Sequence, residues 1–69
     1  MTDETRFFLF LIERYAEAKG CLAGDVIQDL DGKGITQEVY DGYEMYHQER
    51  LENAFMDIDA LLATGKHAW

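Results

Sequence analysis

The chain contains no proline and no serine, a single cysteine, Cys21, and only 6 basic residues against 14 acidic ones. Each shortage removes something. With no serine, one cysteine and two histidines, no set of nucleophile, base and orienting group can be assembled, so no catalytic residue is assigned and the chain is not expected to be an enzyme. A lone cysteine cannot close an internal disulfide. It fits a reducing compartment and reads as a small buried apolar residue. The basic residues are scattered, and a net charge of -8 repels phosphate backbones, which excludes nucleic acid as a partner. The acidic residues at the start do not resemble a signal peptide, and no apolar run approaches the roughly 18 to 20 residues of a membrane span. These absences lead to the expectation of one helical domain over residues 1–69, cytoplasmic, with no membrane partner.

What is present starts with Phe7-Phe8-Leu9-Phe10-Leu11-Ile12, the longest apolar run in the chain. A run of this length fits a buried strand as well as a helix, and its flanks decide. Thr2-Asp3-Glu4-Thr5 offers an N-cap oxygen and carboxylates for the positive end of a helix dipole. Glu13 to Lys19 are mostly strong helix formers, and Gly20 stands where a left-handed C-cap would stop them. On a helix, Phe7, Leu11, Tyr15 and Ala18 share one face with Phe8 and Ile12 beside it, while Leu9 and Phe10 point elsewhere. A helix apolar nearly all round has to be covered on more than one side.

The rest of the chain repeats the helical period. Leu22, Val26, Ile27 and Leu30 mark a second helix ended by Gly32 and Gly34. Thr36 reads as the N-cap of a third, carrying Val39, Tyr40 and Tyr43. Leu51, Ala54, Phe55, Ile58, Leu61 and Leu62 mark the last helix, with Gly65 as its stop. The expected fold is all-α, a compact bundle of four short helices with the first central. Because Tyr43, His47, Leu51, Ala54, Ile58 and Leu62 are also in helical phase, the alternative is three helices, the last one long. A bend between Tyr43 and Gln48 is favoured, since a chain this short needs another corner to close its core.

Three motifs invite a function and fail on their details. Asp29-Leu30-Asp31-Gly32-Lys33-Gly34-Ile35-Thr36 begins like a calcium loop, but Lys33 occupies a ligand position and Tyr40 stands where the closing glutamate belongs, so it reads as a glycine-capped turn. The two helices it joins form a helix-turn-helix whose second helix carries Glu38, Asp41 and Glu44 and no Arg or Lys, the wrong chemistry for bases and phosphates. His47 lies among Tyr40, Tyr43 and Tyr46, with the only other histidine, His67, far off near the end of the sequence. No metal and no cofactor is therefore assigned, and His47 reads as a structural histidine between helices. The four residues Tyr40, Tyr43, Tyr46 and His47 are the expected partner-binding surface, because tyrosine is over-represented in interfaces.

From Gly34 to Leu62 the chain resembles a family of small bacterial proteins catalogued as domain of unknown function thirty-seven ninety-one. The resemblance rests on Gly34-Ile35-Thr36, on Tyr43 and His47 within Tyr43-Glu44-Met45-Tyr46-His47-Gln48, and on the Asp57-Ile58 pair within Phe55-Met56-Asp57-Ile58. Tyr46 stands where the family pattern has Leu, and Gln48 where it has Thr. The Phe-rich first helix is similar too. The resemblance implies no catalytic residue; it implies an antitoxin-like or accessory role beside a neighbouring gene product, such as an ADP-ribosyltransferase-like toxin.

The functional expectation is a non-enzymatic protein-protein interaction module that sets an acidic, tyrosine-bearing face against a basic protein partner. The alternative is a small ligand-binding or enzymatic domain using His47 and the surrounding tyrosines. Leu9, Phe10, Met45, Met56 and Trp69 remain apolar after the inward faces are assigned, and their expected cover is a second copy of the chain in a homodimer.

Overall fold

Thr2 begins the fold. In the computed structural model, which describes residues 1–69, its hydroxyl accepts the amide N–H of Thr5 at 3.2 Å and so caps α1, Asp3–Lys19. Asp3 and Glu4 lie in the first turn and Lys19 in the last, each matched to the end of the dipole it faces. Gly20, at φ 72°, ends the helix in a Schellman turn, in which the Cys21 amide reaches back to the Ala16 carbonyl at 3.0 Å. That position puts Cys21 outside the helices with its side chain exposed. The expectation of a buried cysteine is thereby corrected: composition favours burial, but the turn carries the residue away from the face that holds Tyr15 and Ala16.

α2 spans Ala23–Lys33 and runs through Gly32 before Gly34, at φ 71°, repeats the same turn. The Ile35 amide bonds the Leu30 carbonyl at 3.0 Å, and Ile35 and Leu30 are both buried. Ile35 takes the N-cap position of α3, Thr36–Asp41, so Thr36 is the first helical residue instead of the cap. Its hydroxyl donates to the Asp31 carboxylate, which closes the turn that resembled a calcium loop.

The chain is all-α, as expected, with five helices where four were counted. The additional one is α4, Tyr43–Tyr46, a single turn between Gly42 and the irregular residues 47–50. The favoured bend is there, and the long continuous helix is not. α5, Leu51–Thr64, follows and stops at Gly65, φ 77°. α1 packs against each of the other four helices, and α5 packs against α1, α2 and α4. Leu11, Ile12, Leu30, Val39, Ile58 and Leu61 are the most deeply buried apolar side chains, with Phe7, Phe8, Phe55 and Leu62 packed around them. Leu9, Phe10, Met45, Met56 and Trp69 are exposed. No helix is long and apolar enough to cross a membrane.

Gly42 is the tightest point of the chain. A Cβ built there would collide with the Tyr46 ring, 2.7 Å from Cζ and 2.8 Å from Cδ2. Its backbone, at φ -74° and ψ 2°, is one that any residue adopts. On backbone entropy alone, Gly42→Ala would stabilise the protein by about 0.4 to 1 kcal/mol. Overpacking against a buried ring costs about 1 to 3 kcal/mol and reverses the sign. We expect Gly42→Ala to lower the melting temperature by several degrees, whereas Gly32→Ala, whose added Cβ would meet no atom within 4 Å, should not lower it; an unchanged or higher value for Gly42→Ala would refute the close contact.

Candidate functional site

The four residues expected to form one surface divide between two places. Tyr40 and Tyr43 are half-buried at the junction of α3 and α4. The Tyr40 ring lies 5.5 Å from Phe8, and its hydroxyl is 2.7 Å from the Thr5 hydroxyl. Tyr43 meets Phe7 edge-on at 5.6 Å and stacks on His47 at 4.2 Å, with the planes 4° apart. His47 is exposed, and its Nδ1–H donates to the Tyr43 carbonyl at 2.5 Å. Tyr46 turns the other way and is 97 % removed from solvent, its exposure being 3 %. The missing Cβ of Gly42 leaves room for the Tyr46 ring, and Asp57 provides a buried acceptor for its hydroxyl. Tyr46 is thus a core residue and leaves the expected contact surface.

Beside Tyr40 and Tyr43 the surface dips into an open groove of about 360 Å³, lined by Thr2, Glu4, Tyr40, Asp41, Tyr43 and Glu44. It forms where the first turn of α1 meets the end of α3 and the start of α4. No cationic side chain is part of this lining. Burial, followed by the carboxylates of Asp3, Glu4 and Glu44, pushes the Tyr43 phenol above its ordinary value and keeps it a neutral donor. Asp41 accepts the side-chain amide of Gln37 at 2.8 Å, which helps fix its carboxylate. Carboxylates beside aromatic rings favour cations, through charge and through the negative faces of the rings.

The second place was not foreseen. Asp57, with 0 % exposure, is the sole polar or charged residue that is fully buried. Its Oδ2 accepts from the Tyr46 hydroxyl and from His67 Nδ1 at 2.7 Å, and its Oδ1 accepts the Ala68 amide at 2.6 Å. The other nitrogen of His67 lies 3.0 Å from Glu38 Oε2 on α3. Trp69 stacks on His67 at 4.6 Å and meets the Tyr46 ring edge-on at 5.8 Å. The bond to Asp57 raises the pKa of His67, with burial opposing and Glu38 adding to it. Burial, and then the bond to Asp57, pushes the Tyr46 phenol far up.

A signal for Asp57 was available. It follows Ala54 by three residues and precedes Leu61 by four, so it lies on the apolar face of α5, where a carboxylate demands partners. His67 gave no such signal, because 10 residues separate it from Asp57 and 29 from Glu38. A related contact joins α1 to α5, where Tyr15 donates to Asp59 at 2.5 Å and Lys19 reaches its other oxygen at 3.0 Å. Burial raises the Asp59 pKa, but these two bonds outweigh it and hold the carboxyl below its ordinary value. No group of three or more His, Cys, Asp or Glu side chains is arranged to hold a metal ion.

Removing the Asp57 carboxylate would leave the buried Tyr46 hydroxyl and the Ala68 amide without acceptors. Breaking a buried charged contact from one side costs about 3 to 5 kcal/mol. Asp57→Ala is therefore expected to lose about that much in chemical denaturation, whereas Asp29→Ala, at an exposed position in the middle of α2, should change stability by no more than about 0.5 kcal/mol. A loss below about 1 kcal/mol at Asp57, on the order of one ordinary hydrogen bond, would show that the hydrogen bonds to Asp57 do not hold the fold.

No curated protein and no solved structure matches the chain. A family described as "Protein of unknown function (DUF3791)" matches residues 6–64. The matched span takes in the tyrosines of the groove, His47 and Asp57, and stops short of His67. It covers all five helices apart from the first residues of α1, and the chain belongs to this family of unknown function.

Proposed function

We propose that the protein is a non-enzymatic interaction module whose groove at Tyr40 and Tyr43 receives a basic segment of a protein partner. The observation that carries this reading is the lining of the groove: three carboxylates, two phenol rings and a threonine, with no cation of its own. An arginine or lysine side chain fits such a site through both its charge and its stem, which lies against the rings. The surplus negative charge of the whole chain, -8, steers such a segment toward the protein from a distance. His47 stacks behind Tyr43 and stiffens the wall, so its part is support. An antitoxin-like or accessory role, in which the module sits on a basic toxin-like neighbour, agrees with this chemistry. The competing reading, a small ligand or substrate held by His47, finds little support in a groove whose lining does not include His47.

The test is a titration with short arginine- and lysine-bearing peptides against the wild-type protein and Asp41→Lys with Glu44→Lys. Both positions are exposed, so the variant should keep its helicity. Wild-type binding should weaken steeply with salt. In the variant it should fall at least about tenfold, about 1.4 kcal/mol. Peptide binding that ignores both salt and charge reversal sinks the proposal. A bound small molecule that disappears in His47→Ala would support the competing reading instead.

We also propose a homodimer. Leu9 and Phe10 of α1 and Met45 of α4 are 42 %, 48 % and 44 % exposed, a large apolar area for a small protein to leave in water. A second copy is the commonest cover for such a surface. Light scattering at tens of micromolar, a range typical of weak association, should give twice the chain mass. A monomer mass there would exclude it.

A further inference from the structure

The segment that follows α5 is held by side chains from three helices. It leaves at Gly65, φ 77°, where the Thr64 hydroxyl accepts the Lys66 amide at 3.1 Å. It then lies against Glu38 of α3, Tyr46 of α4 and Asp57 of α5, with His67 as the point of attachment. We propose that Lys66–Trp69 is a proton-operated strap, closed when His67 is a cation held between Glu38 and Asp57 and open when His67 is neutral.

The argument starts from hydrogen-bond capacity. Glu38 and Asp57 are both carboxylates, and as acceptors each requires an N–H from the ring. A neutral imidazole has one N–H; only the imidazolium has two. The geometry, 2.7 Å to Asp57 and 3.0 Å to Glu38, is satisfied by the charged ring alone. The groups facing His67 are Glu38 from α3, Asp57 from α5, and Tyr46 from α4, whose hydroxyl shares the same Asp57 oxygen. On the strap itself, Lys66 is the neighbouring cation. Two anionic partners outnumber it at contact distance and hold the proton on His67.

The direction with pH follows. The folded-state pKa of His67 lies above the ordinary 6.5, so the closing interaction is fully present below pH 6.5 and is lost as pH rises through the raised value. Above it, one carboxylate loses its partner and faces a ring lone pair. The strap then keeps a single ring N–H bond in place of two, now without the charge of the imidazolium, together with the Ala68 amide bond and the stacking of Trp69. Opening bares the Asp57 and Tyr46 face between α3, α4 and α5, which the closed strap covers. The Tyr46–Asp57 bond and the apolar core do not involve His67, so the helices remain folded.

Trp69 is the only tryptophan and stacks on the titrating ring, so its fluorescence anisotropy reads the strap directly. In the wild type, anisotropy should fall in one transition as pH rises above 6.5, while far-ultraviolet circular dichroism stays constant. His67→Gln keeps a donor but cannot titrate, and its anisotropy should be flat over the same range. Glu38→Gln removes one facing charge at an exposed position and should move the wild-type transition to lower pH. A flat wild-type profile overturns the proposal, as does an equal transition in His67→Gln, an unmoved midpoint in Glu38→Gln, or helicity lost in step with anisotropy. Should His67→Gln fail to fold, Glu38→Gln decides alone.

Discussion

The Asp57 carboxylate has no access to water, and this constraint reaches further than any other in the molecule. A buried charge is tolerated only when its lone pairs are served from within the protein. Service here comes from three directions: a phenol on α4, a ring from beyond α5, and a main-chain amide. Each fixes an element that a small apolar core would hold only loosely. The four-residue α4 is too short to persist by itself. Its position follows from Tyr46, whose hydroxyl is tied to Asp57 and whose ring lies against Gly42. α3 is drawn into the same network through Glu38.

The acidic groove and the buried Asp57 network are therefore consequences of one arrangement. Because Tyr46 faces inward, α4 is rotated so that Tyr43 faces outward beside Tyr40, and the acidic groove opens between them and the start of α1. Glu4 and Glu44 line that groove, Glu4 within the first turn of α1, where the helix dipole also favours an anion. Like charges gathered on one small surface repel one another, and an incoming cation relieves that repulsion. In the proposed complex, the charge that weakens the free protein would strengthen binding.

The parts of this structure legible in the sequence are those governed by near neighbours. The Phe7–Ile12 run, the Thr2 cap, the stops at Gly20, Gly34 and Gly65, and the face of α5 from Ala54 to Leu61 all follow from short-range periodicity and turn chemistry. The break at 42–50 was legible only as a corner required by chain length, because the helical phase from Tyr43 to Leu62 runs straight through it. Cys21 is exposed where burial is the expectation, and Thr36 lies one position inside the cap it was assigned, because residue preference points one way and the Schellman geometry another. Tyr46 was grouped with Tyr40 and Tyr43 because all three are tyrosines close in sequence. Its inward turn depends on Asp57, eleven residues away, and on the space at Gly42. His67 stayed invisible for the same reason, since its partners are assembled only by the completed fold.

The close approach of the Tyr46 ring to Gly42 also has an evolutionary reading. Neither residue can be altered alone without cost: a side chain at 42 needs a smaller one at 46, and a ring at 46 needs glycine at 42. A leucine at 46 would make room for a Cβ at 42, but it has no hydroxyl to offer the buried Asp57 carboxylate. The ring at 46, the glycine at 42 and the carboxylate at 57 are therefore coupled, and a change at any one of them alters what the other two must provide.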